Sequence, residues 1–226
     1  MSRTDATSWT ILHDAASGND AARTAFIRRY LPAVRAYLSA RWEGTALRDQ
    51  LEDAVQEVFL QFLEPGGVLE GGLGRVRGDS FRAYLYGLVR NVARMWERRE
   101  LQRRDAEPRS KPDLDRIDAD ETRLSRVFDR RWARSIIAEA VALLRERAES
   151  EEALQRVELL HLRFTDNLPI REIADRDGSE RTDLYRQMER ARAEFMKALA
   201  DVLCRQSGEA TVDVEREGRR LIDLLR

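Results

Sequence analysis

From Leu51 to Leu63 the apolar residues Leu51, Val55, Val58, Phe59 and Phe62 recur at i, i+4, i+7, i+8 and i+11, the spacing of one helix face. The rest of that helix surface carries Glu52, Asp53, Gln56 and Glu57. Asp53 and Glu57 lie one turn apart, as do Glu52 and Gln56, so they make one patch. The same period returns along most of the chain. Phe26, Ile27, Tyr30, Leu31, Val34 and Leu38 form a stripe behind a cap at Asn19 or Asp20, with Pro32 inside it expected to kink or divide the helix. Phe81, Leu85, Leu88 and Val92, with Met95 or Trp96, follow a cap at Asp79 or Ser80. Leu124, Val127 or Phe128, Trp132, Ile136, Val141 and Leu144 make a third stripe. Further helices are expected near 9–16, 151–164, 170–175 and 181–204, and no stretch reads as a strand. The expected class is all-α.

Charged residues make up 36% and hydrophobic ones 42%, with 12 glycines and 5 prolines, a helix-rich composition. Forty basic residues against 41 acidic ones leave no bulk charge to suggest nucleic acid, so local distribution has to carry that argument. The lone Cys204 excludes an internal disulfide, and His13 and His161 are too few for a metal cluster. The start MSRTDATSW has no apolar signal core and no run reaches membrane-spanning length, which points to the cytoplasm and away from a membrane. There is no nucleophile elbow, phosphate-cradling loop before a lysine, or metal-ligand spacing. The expectation is a protein without a cofactor that is not an enzyme.

Pro65-Gly66-Gly67 closes the acidic-faced helix, and the stretch from Val68 to Gly78 is a glycine-rich loop. Residues 102–121 combine two prolines, dense charge and few apolar groups, too little to offset ordering entropy, and read as a flexible linker. That gives two small helical domains, 1–101 and 122–204, with an extension at 205–226. The amphipathic end of the extension (Leu221, Ile222, Leu224, Leu225) is expected to fold back on the second domain.

Three constellations can carry chemistry. The acidic face at 52–57 is either a solvated helix surface or a docking surface whose charge selects a basic partner. Arg90, Arg94 and Arg98 form a basic ridge at i, i+4, i+8, with Arg82, Arg99, Arg75 and Arg77 nearby and Tyr84, Tyr86 and Trp96 interspersed. Cations that track phosphates beside aromatics that stack bases suit single-stranded nucleic acid, and the adjoining glycine loop can approach an unstacked base. The alternative is that the aromatics are core and the arginines solvated. Ile170 to Ala174, Gly178, Leu184, Met188 and Ala191 fit a helix-turn-helix or an ordinary helical hairpin. In the former, Arg181, Tyr185, Arg186, Gln187 and Arg190 face a major groove.

In this order the three constellations resemble a bacterial RNA polymerase sigma factor of the extracytoplasmic-function type, over most of residues 20–204. Glu52-Asp53 with Val55-Gln56-Glu57-Val58-Phe59 is similar to that family's core-polymerase-binding helix. Phe81 to Leu85, Arg90-Asn91-Val92-Ala93 and Trp96 to Arg99 resemble its minus-ten recognition and melting helix, and Phe128 to Ala133 the start of its downstream domain in some branches. Ile170 to Ala174, Gly178 and Arg190-Ala191-Arg192 resemble the helix-turn-helix that reads the minus-thirty-five element.

The resemblance implies a region 2-like bundle and a region 4-like domain. It implies polymerase contact through Glu52, Asp53, Gln56 and Glu57, and strand opening through Arg75, Arg77, Arg82, Arg90, Asn91, Arg94 and Arg98. It also implies duplex contact through Arg181, Tyr185, Arg186, Gln187 and Arg190. Partners would be core RNA polymerase, duplex and single-stranded promoter DNA, and an anti-sigma factor or a kinase, with Thr45 one candidate for phosphorylation. The chain departs from the pattern at Gln50, where the family has an acid. It departs again at Arg176, Asp177 and Ser179, where apolar residues pack the turn, and at Asp183 and Tyr185. A helix-turn-helix regulator that never meets polymerase, or a degenerate sigma-like protein-binding module, are the competing readings.

Overall fold

A computed structural model of the chain describes residues 19–63, 79–106, 117, 120–207 and 214–225. Among these the fold is all-α. The helices are α1 (Asp20–Arg41), α2 (Leu51–Leu63), α3 (Asp79–Ala106), α4 (Glu121–Glu146), α5 (Glu151–Phe164), α6 (Ile170–Asp177), α7 (Arg181–Ser207) and α8 (Val214–Leu225), with a 3₁₀ turn at Ala46–Gln50. The helix expected at 9–16, His13, the glycine-rich loop with Arg75 and Arg77, and nearly all of 107–119 lie outside the described residues.

The side chain of Asn19 caps α1 by accepting from the backbone N–H groups of Ala21 (3.0 Å) and Ala22 (3.1 Å). Of the two outcomes expected at Pro32, a kink or a division, the division does not occur: the helix runs continuously from Asp20 to Arg41. Pro32 and Arg28 are both exposed, so the Arg28 carbonyl that loses its N–H partner can bond water instead. In α2 the predicted stripe is buried at Val55, Val58, Phe59 and Phe62, while Leu51 is half-buried. In α3 the buried stripe is Phe81, Leu85, Val89, Val92 and Ala93. Leu88 is only half-buried.

The chain divides into two compact units, and the division does not fall at 121/122. Among the described residues, unit 1 takes in those up to Ser135 with 205–207 and 221–225, and unit 2 takes in 136–204 with 214–220, so the end of the chain from Leu221 is grouped with the first unit and not, as expected, with the second. The third helix, α3, runs on to Ala106, inside the stretch read as a linker, and the first half of α4 is part of the first unit. The reason is aromatic packing. Phe26 stacks on Phe62 with centroids 4.5 Å apart and planes 9° from parallel. Tyr30 stacks on Trp132 of α4 at 4.9 Å, and Phe81 meets Trp132 at 5.8 Å. Phe128 meets Tyr86 edge-on at 5.5 Å, and Leu124 is fully buried. Burying an apolar or aromatic side chain is worth roughly 1.5–3 kcal/mol, so Leu124, Phe128 and Trp132 outweigh the charge around them.

Unit 2 is built on Ile136, Ala140, Leu143 and Leu144 of α4, with Val157 and Leu160 of α5, Ile173 of α6, and Met188, Ala198, Leu199 and Val202 of α7. Ser150 caps α5 by accepting from the Ala153 N–H at 3.2 Å. Gly178 ends α6 in the left-handed conformation (φ 66°, ψ 22°) that glycine adopts without a Cβ penalty. The N–H groups of Gly178 and Ser179 both turn back to the Ala174 carbonyl. The polar turn residues Arg176, Asp177 and Ser179 are exposed. At Gly218 the α8 backbone comes so near α7 that a Cβ there would touch Met196 Cε at 3.4 Å and Leu199 Cδ2 at 3.5 Å. Thus α8 packs on the far half of α7, about 22 Å along the helix from the turn.

Candidate nucleic-acid interface

The outer face of α2 presents Glu52, Asp53 and Gln56 to solvent, while Glu57 is half-buried and accepts from Gln61 Nε2 at 2.7 Å. Glu52 accepts from Arg35 Nη2 at 2.6 Å; both side chains are largely exposed, so this pair contributes little. One turn beyond Gln56, Leu60 is 61% exposed. Its apolar surface beside the acids is a feature that periodicity could have flagged, since Leu60 falls off the buried stripe. Thr45 is buried and donates its hydroxyl to the Trp42 carbonyl at 2.9 Å, so it is not presented for phosphorylation beside this face.

The ridge on α3 is real as a row, but much of it already has partners. Asn91 and Arg98 are exposed. Arg82 Nε donates to Asp129 Oδ1 at 2.6 Å, and its Nη2 reaches Ser125 Oγ at 3.3 Å. Arg90 and Arg94 lie 3.4 and 3.8 Å from Glu121 Oε1. Glu121 is the hub of this surface. It also pairs with Arg41 at 3.1 Å and accepts from the Tyr86 hydroxyl at 2.8 Å and the Tyr37 hydroxyl at 3.4 Å. Burial pushes the Glu121 carboxyl up, but the Tyr86 hydroxyl with Arg41 and Arg90 outweighs it and holds the group below the ordinary glutamate range. Burial likewise pushes the Tyr37 hydroxyl up to about 12, partly offset by Arg41.

Beneath Glu121, Arg41 is almost fully buried, a costly position that four acceptors make tenable. Its Nε and Nη2 donate to the two carboxylate oxygens of Glu97 at 2.6 and 3.1 Å, and Trp42 Nε1 donates to the same Glu97 at 3.0 Å. Burial lowers the guanidinium pKa and the Glu97 hydrogen bond raises it, with a net rise. Arg41, Glu97, Glu121 and Asp129 were not singled out by sequence. The available signal was Arg41-Trp42 at a helix end, and composition hid Glu121 inside a charged stretch.

The interspersed aromatics take different places. Tyr86 packs edge-on against Tyr37 at 5.4 Å and bonds Glu121, so it is not offered for stacking. Burial pushes the Tyr84 hydroxyl up to about 12. Trp96 is half-buried, its Nε1 is buried without a hydrogen-bond partner, and the Arg99 guanidinium sits 6.0 Å from its ring.

In unit 2, α6, Gly178 and α7 form the helix–turn–helix succession. Arg181, Tyr185, Arg186 and Arg190 are exposed on α7, Tyr185 to 60%. Gln187 does not share that face: it is half-buried, and its Oε1 is buried without a hydrogen-bond partner. Arg181 lies 3.6 Å from Asp175 and Arg186 3.4 Å from Asp183. Arg171 and Arg176 lie 3.9 Å from Asp175 and Asp177. Phe164, 61% exposed at the end of α5, is flanked by the guanidinium groups of Arg163 (5.9 Å) and Arg192 (5.6 Å).

Among the described residues no group of three His, Cys, Asp or Glu side chains could hold a metal ion, and no helix is long and apolar enough to cross a membrane. No protein-family model matches this chain, and no curated protein matches it.

Proposed function

We propose that this chain is a sigma-type promoter-recognition subunit that binds core RNA polymerase and directs transcription initiation. The observation that carries the reading is the outer face of α2. Glu52, Asp53 and Gln56 stand in solvent over an inner stripe buried at Val55, Val58, Phe59 and Phe62, with Leu60 exposed beside them. Fixed acids steer and select a basic partner, and a desolvatable apolar residue beside them supplies a contact that charge alone does not. Arg98 and Asn91 supply cationic and hydrogen-bonding groups for an opened strand, with Arg90 and Arg94 beside them facing Glu121. Arg181, Tyr185, Arg186 and Arg190 supply the corresponding face for duplex DNA. Two linked contacts on one promoter would multiply specificity through effective concentration. The test is co-purification of the full chain with core RNA polymerase, followed by transcription from a random promoter library. Absence of a complex removes the proposal.

A second reading, a degenerate sigma-like module that binds protein, draws on a different observation. Arg171, Arg176, Arg181 and Arg186 each lie within 4 Å of Asp175, Asp177 or Asp183. Acids in that row repel phosphates. Salt-dependent binding of duplex promoter DNA separates the two readings.

A further inference from the structure

The α3 ridge is graded. At its first turn the Arg82 side chain is 24% exposed and paired with Asp129, itself 15% exposed. Further along, Arg90 is 39% and Arg94 45% exposed, both facing Glu121. Arg98, at the last position of the row, is exposed, and no acid of α4 meets it. All three covering groups (Glu121, Ser125, Asp129) come from one edge of α4, at i, i+4 and i+8. The adjacent edge of the same turns carries Leu124, Phe128 and Trp132 into the unit 1 core. Carboxylate oxygens at 2.6–3.8 Å from guanidinium groups occupy the positions that phosphate oxygens would take.

We propose that the first three turns of α4 are a built-in acidic cover for the α3 ridge: Glu121 and Asp129 stand in for phosphates, so the Arg82–Arg94 end is withheld from nucleic acid while α4 is seated. Leu124, Phe128 and Trp132 are the anchors of the cover, so nucleic acid alone competes only with its charge. The end at Arg98 stays open and makes first contact. The proposal rests on the nucleic-acid role given to the ridge above.

The test uses the full chain and an oligothymidylate, with affinity followed against salt by fluorescence anisotropy. Asp129→Asn frees Arg82 without touching buried Arg41. It is expected to tighten binding about fivefold and to steepen the log–log salt dependence by about 0.7, the increment for one additional cation on a single strand. Arg82→Gln in the Asp129→Asn background returns both values to those of the parent. The charge-matched Glu43→Gln leaves them unchanged. Glu121→Gln, nearly isosteric, shifts both in the same direction as Asp129→Asn and stands in for it should that variant fail to fold. Equal affinity and slope for parent and uncovered variants, with Arg98→Gln weakening both, overturns the cover and leaves the nucleic-acid role intact. No binding by any variant at low salt overturns both.

Discussion

The Arg41 guanidinium and the Glu97 carboxylate meet side by side through two hydrogen bonds of 2.6 and 3.1 Å, with side chains only 6% and 13% exposed. Such a pair is costly to take from water, and costlier to leave half-made. Replacing Glu97 with Ala strands a buried cation and the Trp42 indole N–H together. A loss of about 3 kcal/mol is expected, since removing one partner of a buried pair costs 3–5 kcal/mol and Glu121 remains in place to soften it. Urea unfolding of Glu97→Ala reads the loss as a lower midpoint at unchanged slope.

Acid should weaken the first unit in a way that one residue controls. Glu121 titrates below the ordinary glutamate range in the folded chain because Tyr86, Arg41 and Arg90 outweigh its burial. A carboxyl depressed on folding stabilises above its unfolded value of about 4.3 and loses that contribution as pH falls through the lower folded value. Thermal melts from neutral to acid pH should therefore show a limb that starts near pH 4.3, and Glu121→Gln should flatten it.

Two glycines should answer oppositely to alanine. Gly178 has φ +66° and open space around it, so Gly178→Ala is a purely conformational penalty of about 1 kcal/mol. Gly218 lies within a helix, where a Cβ would make ordinary contact with Met196 and Leu199, so Gly218→Ala should stabilise by about 0.5–1 kcal/mol. Differential scanning calorimetry of the two variants decides both signs.

On the proposed function, the acidic face and Leu60 should act together. Asp53→Ala with Glu57→Ala should weaken binding to core polymerase with the melting temperature little changed. Leu60→Ala should weaken it by about 1 kcal/mol, roughly fivefold, again at unchanged stability. Surface plasmon resonance against immobilised core enzyme measures each; undiminished affinity in both variants would place the docking surface elsewhere.

Periodicity made the helices legible, including the buried faces of α2 and α3, because a 3.6-residue repeat is a local property. Composition failed at the start of α4. Glu121 sits in a stretch that reads as solvated, yet its partners Arg41 and Tyr86 are 80 and 35 residues away. Spacing likewise located Arg82, Arg90 and Arg94 as a row, but a row says nothing of which acids the fold brings over it. Gln187 shows the same limit: spacing sets it among exposed neighbours, and in the fold it is half-buried. Pro32 marks the opposite case, a helix that is not divided at its proline, where the unpaired Arg28 carbonyl lies on an exposed face.

Trp132 gives the seating of α4 an optical signature. Stacked on Tyr30 and Phe128 and only 8% exposed, its indole should emit at short wavelength while those rings enclose it. Any event that draws the start of α4 away from α1 would red-shift that emission, whereas Trp42, fully enclosed in the α1–Glu97 contact, would keep its colour. The chain thus carries a native fluorophore at the joint where its charged and apolar edges part, and the position of that helix can be followed in solution without a label.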